Sequence, residues 1–251
     1  MKTSRIIVRM LLAVTLAGSG LMARAAEIAV ISTVAHKDAY IEMMPAFERA
    51  SGHKVVTQWV PTVEVLRRIK AGEATDLVLM VASGIDELTK VGKIESGSGV
   101  PFVKSGIGIA VRAGAPRPDV SSADAFRRTL LAAKSVAYST GPSGNYLAGL
   151  FERMGIAAEI KAKVRVTQGE PVGNFVARGE AEIGFQQIPE ILPVKGIDYL
   201  GPLPPDIQYI TTFSAGIHAA AKQPEAARAL DRKSTRLNSS HIPLSRMPSS
   251  A

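Results

Sequence analysis

Four short segments, rich in hydroxyls or small residues, each stand between a β-like run and a helical pattern. They are Ser32-Thr33, Pro61-Thr62, Pro142-Ser143-Gly144-Asn145-Tyr146 and Pro171-Val172-Gly173. The first backbone N–H groups of a helix have no partner within the helix and carry a partial positive charge, so such a start holds an anion without Lys or Arg. Hydroxyls add neutral donors. Ser and Thr are also ordinary helix caps, and any one segment alone reads that way. Four of them, two in each half of the chain, point to a ligand site at the carboxyl ends of strands.

Searches for catalytic patterns return little. Ser143 lies in Gly-Pro-Ser-Gly-Asn, which lacks the spacing of a G-x-S-x-G nucleophile turn, and there is no G-x-x-x-x-G-K-[ST] loop. Gly97-Ser98-Gly99 lacks a third glycine. His36, His53 and His218 have no metal-type spacing, and Glu180 and Glu182 read as a solvated turn. The chain has no Cys, which excludes disulfides and thiolate metal sites. The resulting expectation is a binding protein that is not an enzyme and needs no metal or cofactor.

The elements that must position these segments alternate between strand and helix patterns, as in α/β folds. Strands are predicted at 27–32, 54–59, 76–82, 103–111, 135–139, 164–166, 183–186 and 209–218. Helices are predicted at 36–50, from Pro61-Thr62 to Gly72, and at 85–91, 124–133, 145–154, 171–178 and 224–230. Gly201-Pro202-Leu203-Pro204-Pro205 reads as a stiff link. The simplest layout is two lobes, each a mainly parallel sheet flanked by helices, with the cleft between them. Lobe I takes residues 26–104 plus 206–230 and lobe II takes 105–205. The chain crosses near 103–108 and again near 205–209.

Both ends read as foreign to the working fold. Lys2, Arg5 and Arg9 precede an apolar run from Met10 to Met22, and Ala23-Arg24-Ala25 is a small-x-small cleavage site. This is a signal peptide over 1–25 and implies export to the periplasm. From Asp231 the chain back-translates in one frame into two constant parts of a sequencing adapter, so 231–251 reads as a non-native tail with the natural sequence ending at Leu230. Without the two ends, the net charge falls from +8 to about +1. That removes the basis for a nucleic-acid partner.

The chain also resembles a known family. The carrying residues are Phe47-Glu48-Arg49-Ala50-Ser51-Gly52-His53-Lys54-Val55, Ile69-Lys70-Ala71-Gly72-Glu73-Ala74-Thr75-Asp76-Leu77-Val78, Gly141-Pro142-Ser143-Gly144-Asn145-Tyr146 and Val176-Ala177-Arg178-Gly179-Glu180-Ala181-Glu182-Ile183-Gly184-Phe185. Together they resemble the extracytoplasmic solute-binding proteins of ABC importers, in the molybdate-binding branch, over residues 27–230. The resemblance implies a monomer of two hinged lobes that closes on a small anion and presents it to an inner-membrane permease. It nominates Ser32, Thr33, Thr62, Ser143, Gly144, Tyr146 and Val172 as ligand contacts. Gln186 and Gln187 stand where the molybdate binders carry a Tyr. An amide both donates and accepts, so the ligand stays open between a molybdate-like oxyanion and a small carboxylic acid. An exported enzyme or a sensory receptor on the same scaffold is the alternative.

Overall fold

A computed structural model describes residues 25–241. The segment expected as a signal peptide lies outside them except for Ala25, and the segment expected as a non-native tail lies outside them from residue 242. Strand β1 (Glu27–Thr33) leads through a short 3-10 turn (Val34–His36) into α1 (Lys37–Ser51). Next come β2 (Lys54–Val60), α2 (Thr62–Lys70), β3 (Leu77–Val81), α3 (Ala82–Lys90) and β4 (Val100–Ser105). The chain then leaves this sheet for β5 (Ile107–Arg112), α4 (Ala123–Ala132), β6 (Val136–Ser139), α5 (Pro142–Arg153) and α6 (Ala157–Ile160). It continues as β7 (Val164–Thr167), α7 (Val172–Ala177), β8 (Ile183–Gln187), α8 (Ile188–Ile191) and β9 (Ile197–Pro202). Strand β10 (Thr211–Ile217) and α9 (Pro224–His241) close the described chain.

Two five-stranded sheets result, ordered β2-β1-β3-β10-β4 and β7-β6-β8-β5-β9. In each, three strands run parallel, and the strand that has crossed from the other sheet inserts antiparallel beside them. Burial follows the sequence pattern. Central β3, Leu-Val-Leu-Met-Val, is apolar throughout because helices cover both faces, whereas edge strand β2 alternates exposed and half-buried residues. Helix α2 places Val65 and Ile69, one turn apart, on its inner face and pairs Glu64 with Arg67 outside. Gly52 stops α1 at φ 72° and returns its N–H to Glu48.

The segment expected as one strand over 103–111 is two strands broken at Gly106. Ser105 still pairs with Thr211 in the first sheet, while Ile107 pairs with Gln187 in the second. Periodicity cannot see such a break, since each half is a good strand. The return crossing is clamped by Gln208, whose amide accepts from the Ile107 N–H at 2.9 Å and donates to the Ile107 carbonyl at 3.0 Å. Two further corrections concern turns. Pro142-Ser143-Gly144 is the first turn of α5 rather than a loop before it, because Pro is well suited to the first helical position. Gly201 and Pro202 end strand β9 rather than forming a bare link. Helix α9 runs past Leu230 to His241, so the boundary expected at Leu230 does not interrupt the helix.

Buried Asp76 ties the first sheet to the last helix. One carboxylate oxygen accepts from the Ala29 N–H at 2.8 Å, and the other accepts from Lys222 and Gln223 just ahead of α9. His36 is another polar group buried in this half. Its ring sits edge-on to Phe102, Phe213, Trp59 and Tyr40, with centroids 4.7 to 6.4 Å away. Burial drives its pKa down to about 3, so it is neutral in the fold at working pH.

Candidate functional site

The starts of several helices converge from both sheets on one cleft of about 560 Å³. From the first sheet it is walled by Thr33, Lys37, Asp38, Trp59 and Thr62. From the second come Ser139, Ser143, Thr167, Glu170, Asn174, Gln186, Glu190 and Lys195. The helix starts here are not ordinary capped ends. Thr33, Pro61, Gly141 and Pro171 occupy the cap positions without any side-chain cap bond. Helix α4, away from the cleft, is capped by Ser122, whose hydroxyl accepts from the Ala125 N–H, while α3 and α6, also away from it, have no side-chain cap. An uncapped start leaves its N–H groups for a ligand where no other side chain takes them.

Of the nine nominated contacts, Thr33, Thr62, Ser143 and Gln186 line the cleft. The Thr33 and Thr62 hydroxyls are 2.9 Å apart, joining the first two helix starts. The Ser143 hydroxyl is buried without a hydrogen-bond partner, and so is that of Thr167 at the end of β7. Buried hydroxyls without partners are costly, and both residues line the cleft, where a bound ligand would supply what they lack. We expect Ser143→Ala to change the unfolding free energy of the free protein by no more than about 0.5 kcal/mol, since no bond is lost. The same change should weaken anion binding about five- to tenfold, which calorimetric titration would read.

The other five nominees face elsewhere. Ser32 is buried, bonded to the His36 ring nitrogen at 3.0 Å and to its neighbour's carbonyl. Gly144 packs against the β6 backbone so closely that a Cβ would lie 1.6 Å from the Ser139 carbonyl oxygen. Tyr146 donates to the Ile207 carbonyl at 2.9 Å and stacks on Tyr209, at the return crossing. The Val172 N–H is already taken by the Gln186 side-chain oxygen at 2.7 Å. Gln187 donates to the Thr211 hydroxyl at 2.8 Å, bridging the two sheets at the crossing. Alternation along β8 sends adjacent glutamines to opposite sides, and only one of them can reach the cleft.

Sequence reasoning missed the charged groups, because no motif marks them. Lys37 and Lys195 approach the cleft from the two sheets. Glu170 is bound by the Arg178 guanidinium, which holds its carboxyl below the usual range. Glu190 differs. Some of its surface remains accessible at the cleft, yet enough protein surrounds the carboxyl that burial pushes its pKa up to about 7. Hydrogen bonds from the Gln186 amide and the Gln187 N–H partly offset that rise. Gln186 is fixed at α7's start, where its side-chain oxygen accepts from the Val172 N–H. The signal available in the sequence was Gln-Gln-Ile-Pro-Glu after a buried strand.

Comparison with known proteins adds three findings. The model of the bacterial extracellular solute-binding protein family matches residues 28–231. A Pseudomonas protein named aconitate isomerase is 44% identical over 195 residues, covering 75% of this chain and 74% of that one. Among solved structures, the periplasmic molybdate-binding protein of Azotobacter vinelandii superposes with a TM-score of 0.67 at 16% identity, over 87% of this chain and 99% of that one. The sulfate-binding protein of Mycobacterium tuberculosis does so with 0.66 at 19% identity, over 84% and 82%. At these identities the two structures speak for the fold. The expectation that the chain is not an enzyme does not survive a relative at 44% identity that bears an enzyme's name. That expectation rested on missing nucleophile and metal motifs, and an isomerase that only moves a proton needs neither.

Proposed function

The chain belongs to the bacterial extracellular solute-binding protein family, and from that premise we propose that it captures aconitate, a small unsaturated tricarboxylate, between its lobes and interconverts the cis and trans isomers. The observation that carries this reading is the 44% identity to the aconitate isomerase over three-quarters of the chain. The cleft chemistry agrees with it. Three carboxylates spread over a propene skeleton match Lys37 and Lys195 on opposite walls, the uncapped helix starts, and the unpartnered hydroxyls of Ser143 and Thr167. Neutral donors and helix starts bind carboxylates at less desolvation cost than buried cations would.

Export belongs to the same reading. The leader over 1–25 would be removed, and the mature protein would work as a monomer outside the cytoplasm. Among the described residues no helix is long and apolar enough to cross a membrane.

The test uses the mature protein with each pure isomer. Formation of the other isomer, followed by chromatography or the change in ultraviolet absorbance, is the expected result. Unfolding temperature in the same samples reports binding, because a ligand at about 100 times its dissociation constant adds roughly 2.7 kcal/mol. A second reading is favoured by the crossing clamped through Gln208 and Gln187, a hinge suited to lobe closure. In it the closed protein delivers its ligand to an importer's permease. Binding without turnover, together with a neighbouring permease gene, would select it.

A further inference from the structure

We propose that Glu190 is the general base that carries the proton in this isomerisation, and that Gln186 is the residue that positions it. The assignment rests on the aconitate reading above and names the group that does its chemistry. Aconitate has a CH2 and a CH= on either side of its central carbon. A base removes a proton from the CH2, and the C–H electron pair spreads over the three carbons as an allylic carbanion conjugated with the carboxylates. Returning the same proton to the far carbon moves the double bond by one position. Because the skeleton carries one carboxylate on each carbon, the product is aconitate again. Its geometry is set by how the pocket holds the newly double bond. One proton leaves and one returns, with no oxidant, metal or co-reactant, so a single carboxyl suffices.

The geometry separates Glu190 from the other groups that could serve. Glu170 is locked to Arg178, and Asp38 lies exposed on α1. Lys37 and Lys195 are exposed cations suited to holding carboxylates. His36 is walled off behind Trp59 and Phe213 and is not part of the cleft surface. Glu190 lines the cleft on the short helix after β8. Gln186 lines the same side of the cleft from β8, is itself fixed by the Val172 N–H, and with the Gln187 N–H favours the ionised carboxyl. A proton carrier between two carbons has to keep one orientation, and a fixed neighbour helps to set it. Burial also sets Glu190 near neutrality, where it can both accept and return a proton.

The experiment compares wild type, Glu190→Gln, Glu190→Asp and Gln186→Met, with trans-aconitate as substrate and thermal-shift probe. We expect Glu190→Gln to lose at least a hundredfold in kcat while still being stabilised by trans-aconitate, and Glu190→Asp to recover part of the loss. Wild-type kcat/KM should rise with pH through about 7. In Gln186→Met that limb should move upward, because a hydrogen bond that favours the ionised carboxyl is gone. A fall in stability alone would leave the limb in place, and that result would overturn the role given to Gln186. If Glu190→Gln turns over within threefold of wild type, the assignment of the base is overturned and the isomerase reading stands. If wild type binds trans-aconitate without converting it, the reading falls and the assignment with it. Should Glu190→Gln fail to bind, the wild-type profile decides. A rise near 7 upholds the base, and a flat profile from about pH 5.5 to 8.5 overturns it.

Discussion

Gly144→Ala is expected to cost about 3 kcal/mol or more of stability, although it adds a single methyl group to a helix. The added Cβ would lie 1.6 Å from the Ser139 carbonyl oxygen, 2.8 Å from its carbon and 2.9 Å from the Tyr138 ring. A flexible side chain could swing away, but a strand backbone cannot. Ser139 and Tyr138 belong to β6, which is paired with β7 on one side and β8 on the other. Relief would therefore tilt α5 off the sheet, taking with it the buried Leu147, Leu150 and Phe151. Gly149→Ala in the same helix is the control. Its new Cβ would meet the mobile tip of Arg153 at 3.3 Å, and helix propensity favours Ala by roughly 0.5–1 kcal/mol. Denaturant unfolding of the two variants should move the midpoint in opposite directions. A Gly144→Ala protein as stable as wild type would mean that α5 is not seated this closely.

The second large effect concerns acid. His36 has a pKa near 3 in the fold against about 6.5 in an unfolded chain, because its charged form would sit among aromatic rings. Below pH 6.5 the unfolded state binds a proton that the native state refuses. Stability from this site is therefore complete above about 6.5 and is lost as pH falls toward 3. Between pH 7.5 and 5 the loss is about 2 kcal/mol. Two other groups act in the opposite sense. Glu190 and Asp231 have carboxyls raised to about 7 and about 6, and protonating them favours the fold as pH falls. The measurement is therefore a difference. Unfolding free energies of wild type and His36→Gln are followed from pH 7.5 to 5, so that the carboxylate contributions cancel. Wild type should lose about 2 kcal/mol more than the variant over that range. Parallel curves would show that the ring titrates normally.

Much of the fold was legible along the chain because its signals are local. Leu-Val-Leu-Met-Val, short and bounded by turn residues, reads as a strand covered on both faces, and the apolar spacing of α2 reads as a helix with one buried side. Where local signals are equal on both sides of a junction, the reading failed. The stretch from Val100 to Arg112 holds two good strands, and their assignment to different sheets depends on Thr211, 106 residues after its partner Ser105, and on Gln187, 80 residues after its partner Ile107.

The site was less legible. Hydroxyls at helix starts could be nominated from type and position, and Thr33, Thr62 and Ser143 do line the cleft. Gly144, Tyr146, Val172 and Gln187 were nominated from the family resemblance, and in the fold they serve packing, the crossing or an internal hydrogen bond. A residue's type says what it can bond to, but only its neighbours say whether that capacity is already used.

By itself the sequence determined the alternating architecture, the two lobes' worth of strands, the lack of thiol chemistry, and the polar helix starts that suit an anion. These follow from periodicity, composition and chain direction. The tertiary structure decided which of those donors remain unpartnered, that Gln186 and Gln187 part company, and that Glu190 is raised toward neutrality beside the cleft. Burial and pairing depend on surroundings assembled from segments far apart in the chain. A carboxyl group carries no mark in the sequence of the solvent it will lose.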